Sequence, residues 1–114
     1  MKKILVFLSL IITVLLGNTV WASTFDGKVT AIHVRDVDGL VWIYVEGTRK
    51  GTVPACATKS YFIVKNENSA AGKRQLATLM MAQAMNKRVL IEGYSTCTRW
   101  GDGEDINTVS IWQE

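Results

Sequence analysis

Lys28-Val29-Thr30-Ala31-Ile32-His33-Val34-Arg35, then Asp36-Val37-Asp38-Gly39, then Leu40-Val41-Trp42-Ile43-Tyr44-Val45: two runs rich in β-branched and aromatic residues flank a turn whose glycine tolerates a positive backbone angle, which reads as a hairpin. In the first run Val29 and Ala31 share one parity while Ile32 and Val34 share the other. Side chains change face at every residue of a strand, so a parity switch in mid-run predicts a bulge, and a bulge bends and twists the strand. In the second run Val41, Ile43 and Val45 face one way and Trp42 and Tyr44 the other. Both faces carry apolar area, which predicts a strand covered on both sides.

Downstream, Gly47 to Pro54, with Thr48, Arg49, Lys50 and Gly51, reads as a polar loop closed by a proline that cannot donate to a ladder. A third strand is predicted after it, with Cys56 near its start and Tyr61-Phe62-Ile63-Val64 as its densest part. Asn66 to Ser69 offers capping side chains, and Ala70 to Met85 reads as the one helix, with Leu76, Leu79, Met80 and Ala84 on one side and Gln83 interrupting that stripe. Met80, Met81 and Met85 occupy more sides than one buried face demands, leaving room for a second contact surface such as another subunit. Asn86 suits the left-handed position that ends a helix. Arg88 to Tyr94 gives a fourth strand and Ile106 to Trp112 a fifth, on which Val109 and Ile111 face the same way.

The order is therefore β-β-β-α-β-β, mainly β with one helix. It is the order of the oligonucleotide/oligosaccharide-binding (OB) fold, a five-stranded Greek-key barrel with its helix between strands three and four. An open α+β sheet with a helix on one face has the same order. The bulged first strand and the doubly apolar second strand favour the barrel, because closure of a small barrel needs a sharp local bend.

Upstream, Lys2 and Lys3 precede the apolar run Ile4 to Leu16, and Gly17-Asn18 then leads to Val20-Trp21-Ala22. A basic start, a short apolar core and a small residue before the cut describe an export signal. Cleavage after Ala22 is expected, giving residues 1–22 as signal peptide and 23–114 as one OB-like domain, periplasmic or secreted. The run is too short for a spanning helix, which needs about 20 apolar residues, so no membrane anchor is expected. No cysteine follows the apolar core, which argues against lipid attachment.

The expected mature chain has about 92 residues, near the lower end of what one apolar core holds together. It contains both cysteines, Cys56 and Cys97, and an oxidising compartment would pair them. A zinc site usually needs four ligands; His33 is the single histidine and there is no C-x-x-C. The whole chain carries a formal charge of +3, but the loss of Lys2 and Lys3 leaves eleven cationic side chains against ten carboxylates. Nucleic acid is not an expected partner, because phosphate binding calls for a clustered basic surface. Lys73-Arg74 and Lys87-Arg88 read as solvated helix ends.

Catalysis finds little support. His33 lies inside a predicted strand with no nucleophile motif beside it, and reads as a sheet-surface residue or a satisfied imidazole. Asp102, Glu104 and Asp105 are too similar in setting to serve as a glycosidase pair. They lack the spacing of an EF-hand, so a solvated hairpin loop is expected there and calcium is the lesser alternative. No metal and no cofactor is expected. Ser95-Thr96-Cys97-Thr98-Arg99-Trp100-Gly101-Asp102 places an aromatic ring beside an arginine and a carboxylate in a loop held by Cys97. Arg99, Trp100 and Asp102, with Trp42 and Tyr44, are the candidate ligand-binding residues, since aromatic and arginine side chains dominate interface hot spots. The plainer alternatives are that Trp100 covers the barrel end and that Trp42 and Tyr44 are core beneath the helix.

Val53-Pro54-Ala55-Cys56-Ala57, the short aromatic strand after it, a Leu- and Ala-rich helix, Asn86-Lys87-Arg88-Val89-Leu90-Ile91 and a second cysteine soon after resemble the binding subunits of subtilase cytotoxin and of pertussis-like and typhoid-like toxins. The resemblance spans Val53 to Cys97. It implies a small secreted OB-fold protein stapled by a disulfide, a pentamer that binds cell-surface glycans and carries a catalytic A subunit. No glycan-contacting residue of that family aligns with a position here. The expected function is that of an exported, non-catalytic binding domain for a glycan or a protein partner, with a homo-oligomer as the toxin-like form. The alternative is a monomeric periplasmic OB protein with a structural or stress-related role and no glycan affinity.

Overall fold

In a computed structural model, which describes residues 22–111, the chain forms β1 (Thr24–Val34), β2 (Val41–Lys50), β3 (Phe62–Ile63), α1 (Ala70–Ala84), β4 (Arg88–Gly93) and β5 (Glu104–Ile111). The strands close into a barrel in the order β1-β2-β3-β5-β4, with β4 returning to β1. The neighbours run antiparallel except β3 and β5, which are parallel. This closed OB-type barrel replaces the open-sheet alternative. The export signal expected at residues 1–22 falls outside the described residues but for Ala22. Among the described residues, no helix is long and apolar enough to cross a membrane.

The parity switch in the first strand is a bulge. Val29 pairs with Val45 and Ala31 with Tyr44, so Thr30 is the extra residue. Beyond it the inward positions change parity, and Ile32 lies opposite Ile43 while His33 lies opposite Trp42 on the outer face. A second bulge went unread in the sequence: Glu92 pairs with Thr108 and Gly93 with Ile106, leaving Asn107 unmatched. Both bulges free a carbonyl, and α1 takes both. Gln75 Nε2 donates to Asn107 O at 2.9 Å and Gln83 Nε2 to Thr30 O at 3.3 Å. The glutamine that interrupts the apolar stripe is thus a docking contact.

Ser69 caps α1, its Oγ accepting from Gly72 N at 3.0 Å. Asn86 ends it at φ 53°, and the Lys87 amide donates back to Ala82 O, which satisfies the last turn. The buried face is Gly72, Leu79 and Ala82, with Leu76 packed beside them. Met80 and Ala84, expected in the stripe, are exposed, because the helix meets β1, β4 and β5 through small residues that permit close approach. Met80, Met81 and Met85 are all more than half exposed.

The core gathers Phe25, Val29, Val41, Ile43, Phe62, Val64, Val89, Ile91 and Ile106 under α1. Several boundaries differ from the sequence reading: β1 starts four residues earlier, at Thr24, and three other shifts bear on the site. β2 runs on through Gly47 to Lys50, pairing with Thr24 to Gly27, so the polar loop begins later. β3 is two residues long and Cys56 sits in the irregular segment before it. β5 starts at Glu104, so Glu104 and Asp105 are fully buried strand residues and the solvated acidic loop is corrected. Cys56 and Cys97 form the disulfide, tying that irregular segment to the loop between β4 and β5.

Candidate functional site

The outward residues of the bulged hairpin build a row of rings. His33 stacks on Trp42 with centroids 4.8 Å apart and planes within 11°. Tyr44 meets His33 edge-on at 5.7 Å, and Tyr61, just before β3, meets Tyr44 edge-on at 5.7 Å. Edge-to-face and offset contacts are the arrangements that ring quadrupoles favour. Trp42 and Tyr44 therefore lie on the outside of the barrel, and the expected place beneath the helix is corrected.

The row ends at Trp100, on the β4–β5 loop. Arg35 bridges the two tryptophans, its guanidinium carbon 4.6 Å from the Trp100 ring centroid and 5.9 Å from that of Trp42. Arg35, Leu40, Trp42, Tyr61 and Trp100 line a cavity of about 180 Å³. The β1–β2 turn holds Arg35 in place: Nε and Nη2 donate to the two Asp38 carboxylate oxygens at 3.0 and 2.6 Å, and Asp38 also accepts from Leu40 N. This ion pair holds the Asp38 carboxyl well below the usual carboxylate range. Gly39 completes the turn at φ 73°, the positive angle expected of it. Tyr61 donates its hydroxyl to Asp102 Oδ1. Burial, helped by that carboxylate, pushes the Tyr61 phenol up to about 12, so it remains a donor at any ordinary pH.

The candidate residues thus divide. Trp42, Tyr44, Trp100 and Asp102 belong to one face, whereas Arg99 points its hydrogen bonds elsewhere. Its Nε and Nη2 clasp Glu67 at 3.0 and 2.8 Å and Nη2 also donates to Asp38 O at 2.9 Å. Arg99 is a clamp joining three loops, and the arginine of the aromatic face is Arg35. Arg35 and Tyr61 were missed as site residues. The parity switch places Arg35 beside His33 on the outer face, so that signal was present in the sequence.

The loop carrying Trp100 is shaped from within by Asp105. Its Oδ2 accepts from the Thr96 and Thr98 hydroxyls, each at 2.6 Å, and from Thr98 N at 2.8 Å, while Oδ1 accepts from Arg99 N at 3.2 Å. Burial acts to raise the Asp105 pKa, but these donors outweigh it and the net shift is downward. A carboxyl depressed in the folded state contributes stability above its unfolded value of about 4 and loses it as pH falls through the folded value. We expect the melting temperature to decline below about pH 4, and Asp105→Asn to flatten that decline while lowering stability at neutral pH. An identical acid limb in both proteins, followed by circular dichroism, would contradict this.

At the opposite side of β5, Glu104 Oε1 accepts from Ser23 Oγ and from Arg49 Nη2 at 2.8 Å, and Oε2 accepts from Ser95 N at 3.0 Å. Asp102, Glu104 and Asp105 therefore face three different partner sets. Among the described residues no group of three or more His, Cys, Asp or Glu side chains is placed to hold a metal ion. Comparison with protein-family models, with curated proteins and with solved structures finds no match to this chain.

Proposed function

We propose that the chain is an exported, non-catalytic binding domain that recognises a glycan through the outer face of β1, β2 and the β4–β5 loop. The observation that carries this reading is the run of rings from His33 through Trp42, Tyr44 and Tyr61, extended by Arg35 to Trp100. Flat ring faces bury the apolar face of a pyranose, while polar groups at their edges can bond its hydroxyls. In OB folds the face of strands two and three and the loops after strands one and four form the usual ligand surface, and the row lies there. Single-stranded nucleic acid also stacks on such surfaces, but needs a basic groove. Here Arg35 and Arg99 are each neutralised by a carboxylate.

A glycan array probed with the refolded domain, residues 23–114, tests the reading. Trp42→Ala and Trp100→Ala are each expected to weaken any hit by at least about tenfold, as truncation of a hot-spot aromatic does, with little change in melting temperature. A blank array, or a hit indifferent to both substitutions, would overturn it. The exposed Met80, Met81 and Met85 favour self-association through α1 as the second element of the proposal. Light scattering would give a pentamer for the toxin-like form and a monomer for the stand-alone periplasmic one.

A further inference from the structure

We infer that the aromatic face selects an uncharged or amino-bearing sugar and discriminates against acidic ones, with the free oxygen of Asp102 as its polar anchor; this rests on the glycan reading above. Each arginine at this end of the barrel is already matched. The Nε–Nη2 edge of Arg35, the edge suited to a ligand carboxylate, is taken by Asp38, and Arg99 is taken by Glu67. Arg49 lies at the buried Glu104. None of the four ion pairs among the described residues includes Asp102.

Asp102, bonded to the cavity-lining Tyr61, is therefore a carboxylate at the edge of the aromatic cavity that has no cationic partner among the described residues. Its Oδ1 accepts from Tyr61, and its Oδ2 receives no protein hydrogen bond among the described residues. Asp102 is part-exposed and no fully buried side-chain oxygen or nitrogen among the described residues lacks a partner, so Oδ2 is not sealed from solvent. An oxygen of this kind, fixed through Tyr61 beside Trp100, accepts from a sugar hydroxyl or, more strongly, from a sugar ammonium. A carboxylate-bearing sugar laid on the same rings would bring a like charge to it, which binding interfaces avoid. The barrel thus carries a built-in charge filter at the edge of its stacking surface.

The test is calorimetric titration of the 23–114 domain with three probes: a chitosan trisaccharide bearing amines, the neutral chitin trisaccharide, and sialyllactose. The amine-bearing probe is expected to bind tightest and sialyllactose weakest. Asp102→Asn keeps an acceptor for Tyr61 but removes the charge. It should weaken the amine-bearing probe by roughly tenfold or more, the usual scale for a bond to a charged group, and bring sialyllactose level with the neutral probe. The variant's melting temperature reports that it is folded. If sialyllactose binds tightest and Trp42→Ala abolishes that binding, the charge filter is wrong and the glycan reading stands. If none of the probes binds and the array is also blank, both fail together.

Discussion

Glu104→Ala is expected to lower the unfolding free energy by roughly 3–5 kcal/mol, the cost of removing one partner from a buried ion pair, measured by urea denaturation of the 23–114 domain. Such a loss is a large part of the net stability of a small domain. Glu104 is fully buried, and both its oxygens are engaged: Ser23 Oγ and Arg49 Nη2 on one, Ser95 N on the other. Removing the carboxylate leaves the Arg49 guanidinium, whose side chain is only 18% exposed, above the Phe62 ring with no anion beside it. It also leaves the Ser23 hydroxyl proton, just before β1, and the Ser95 amide, just after β4, without their acceptor.

Two further changes separate the pair from mere loss of volume. The Glu104→Ala/Arg49→Ala double variant should be less destabilised than the sum of the two single ones, because the second substitution removes the charge that the first exposes. Gly93→Ala should be damaging for a different reason. A Cβ there would lie 1.8 Å from Glu104 Oε2, so the carboxylate would have to leave its partners or β4 would have to shift. A loss below about 1 kcal/mol for Glu104→Ala would mean that water replaces the carboxylate, and that the Arg49–Glu104 pair does not act as a polar plug in the barrel. The half-exposed pair Arg88–Asp26 offers a control, since surface ion pairs contribute little.

That plug also explains where the sequence was opaque. The closed barrel was legible because period-two patterning survives a bulge as a parity switch, visible between Val29 and Ile32. The helix was legible from its caps at Ser69 and Asn86. The interior of the lower barrel was not legible, because it is filled by Arg49 and Glu104, residue types that a pattern reading assigns to solvent. Each is tolerable inside only because the other is there, and they are 55 positions apart. The same blindness turned Asp105 into a loop acid, when it is the acceptor around which residues 96–99 are wound. On the outer face, neighbours along the chain suggested that Arg99, Trp100 and Asp102 act together. Adjacent loop residues point in different directions, however, and Arg99 reaches Glu67 while Arg35 takes the place beside Trp100. The third strand was legible at Tyr61 to Val64 but not its brevity: only Phe62–Ile63 pairs, because the segment ahead of it is held by a covalent link instead of a ladder.

Reduction of that link sets the second large expectation. With Cys56–Cys97 reduced, or in Cys56→Ser/Cys97→Ser, the melting temperature should fall by on the order of 20 °C, from about 4 kcal/mol in the chain-entropy account of a loop of this size. The residues joined are 41 apart, and the loop they close contains β3, α1 and β4. The local consequence should be uneven. On the Cys97 side, Thr96, Thr98 and Arg99 remain bound to Asp105. On the Cys56 side, residues 51–60 keep only short-range turns and the bond from Lys59 N to Asp102 O. Hydrogen exchange should therefore accelerate around residues 51–60 well before it does around 96–105. Trp100 stays on the anchored side, so below the new melting temperature a glycan should bind the reduced protein within about tenfold of the oxidised affinity, because the hot-spot ring is retained. An unchanged melting temperature would show that the disulfide constrains nothing that folding has not already fixed. Loss of binding without loss of stability would show instead that the Trp100 loop is shaped by the disulfide and not by Asp105.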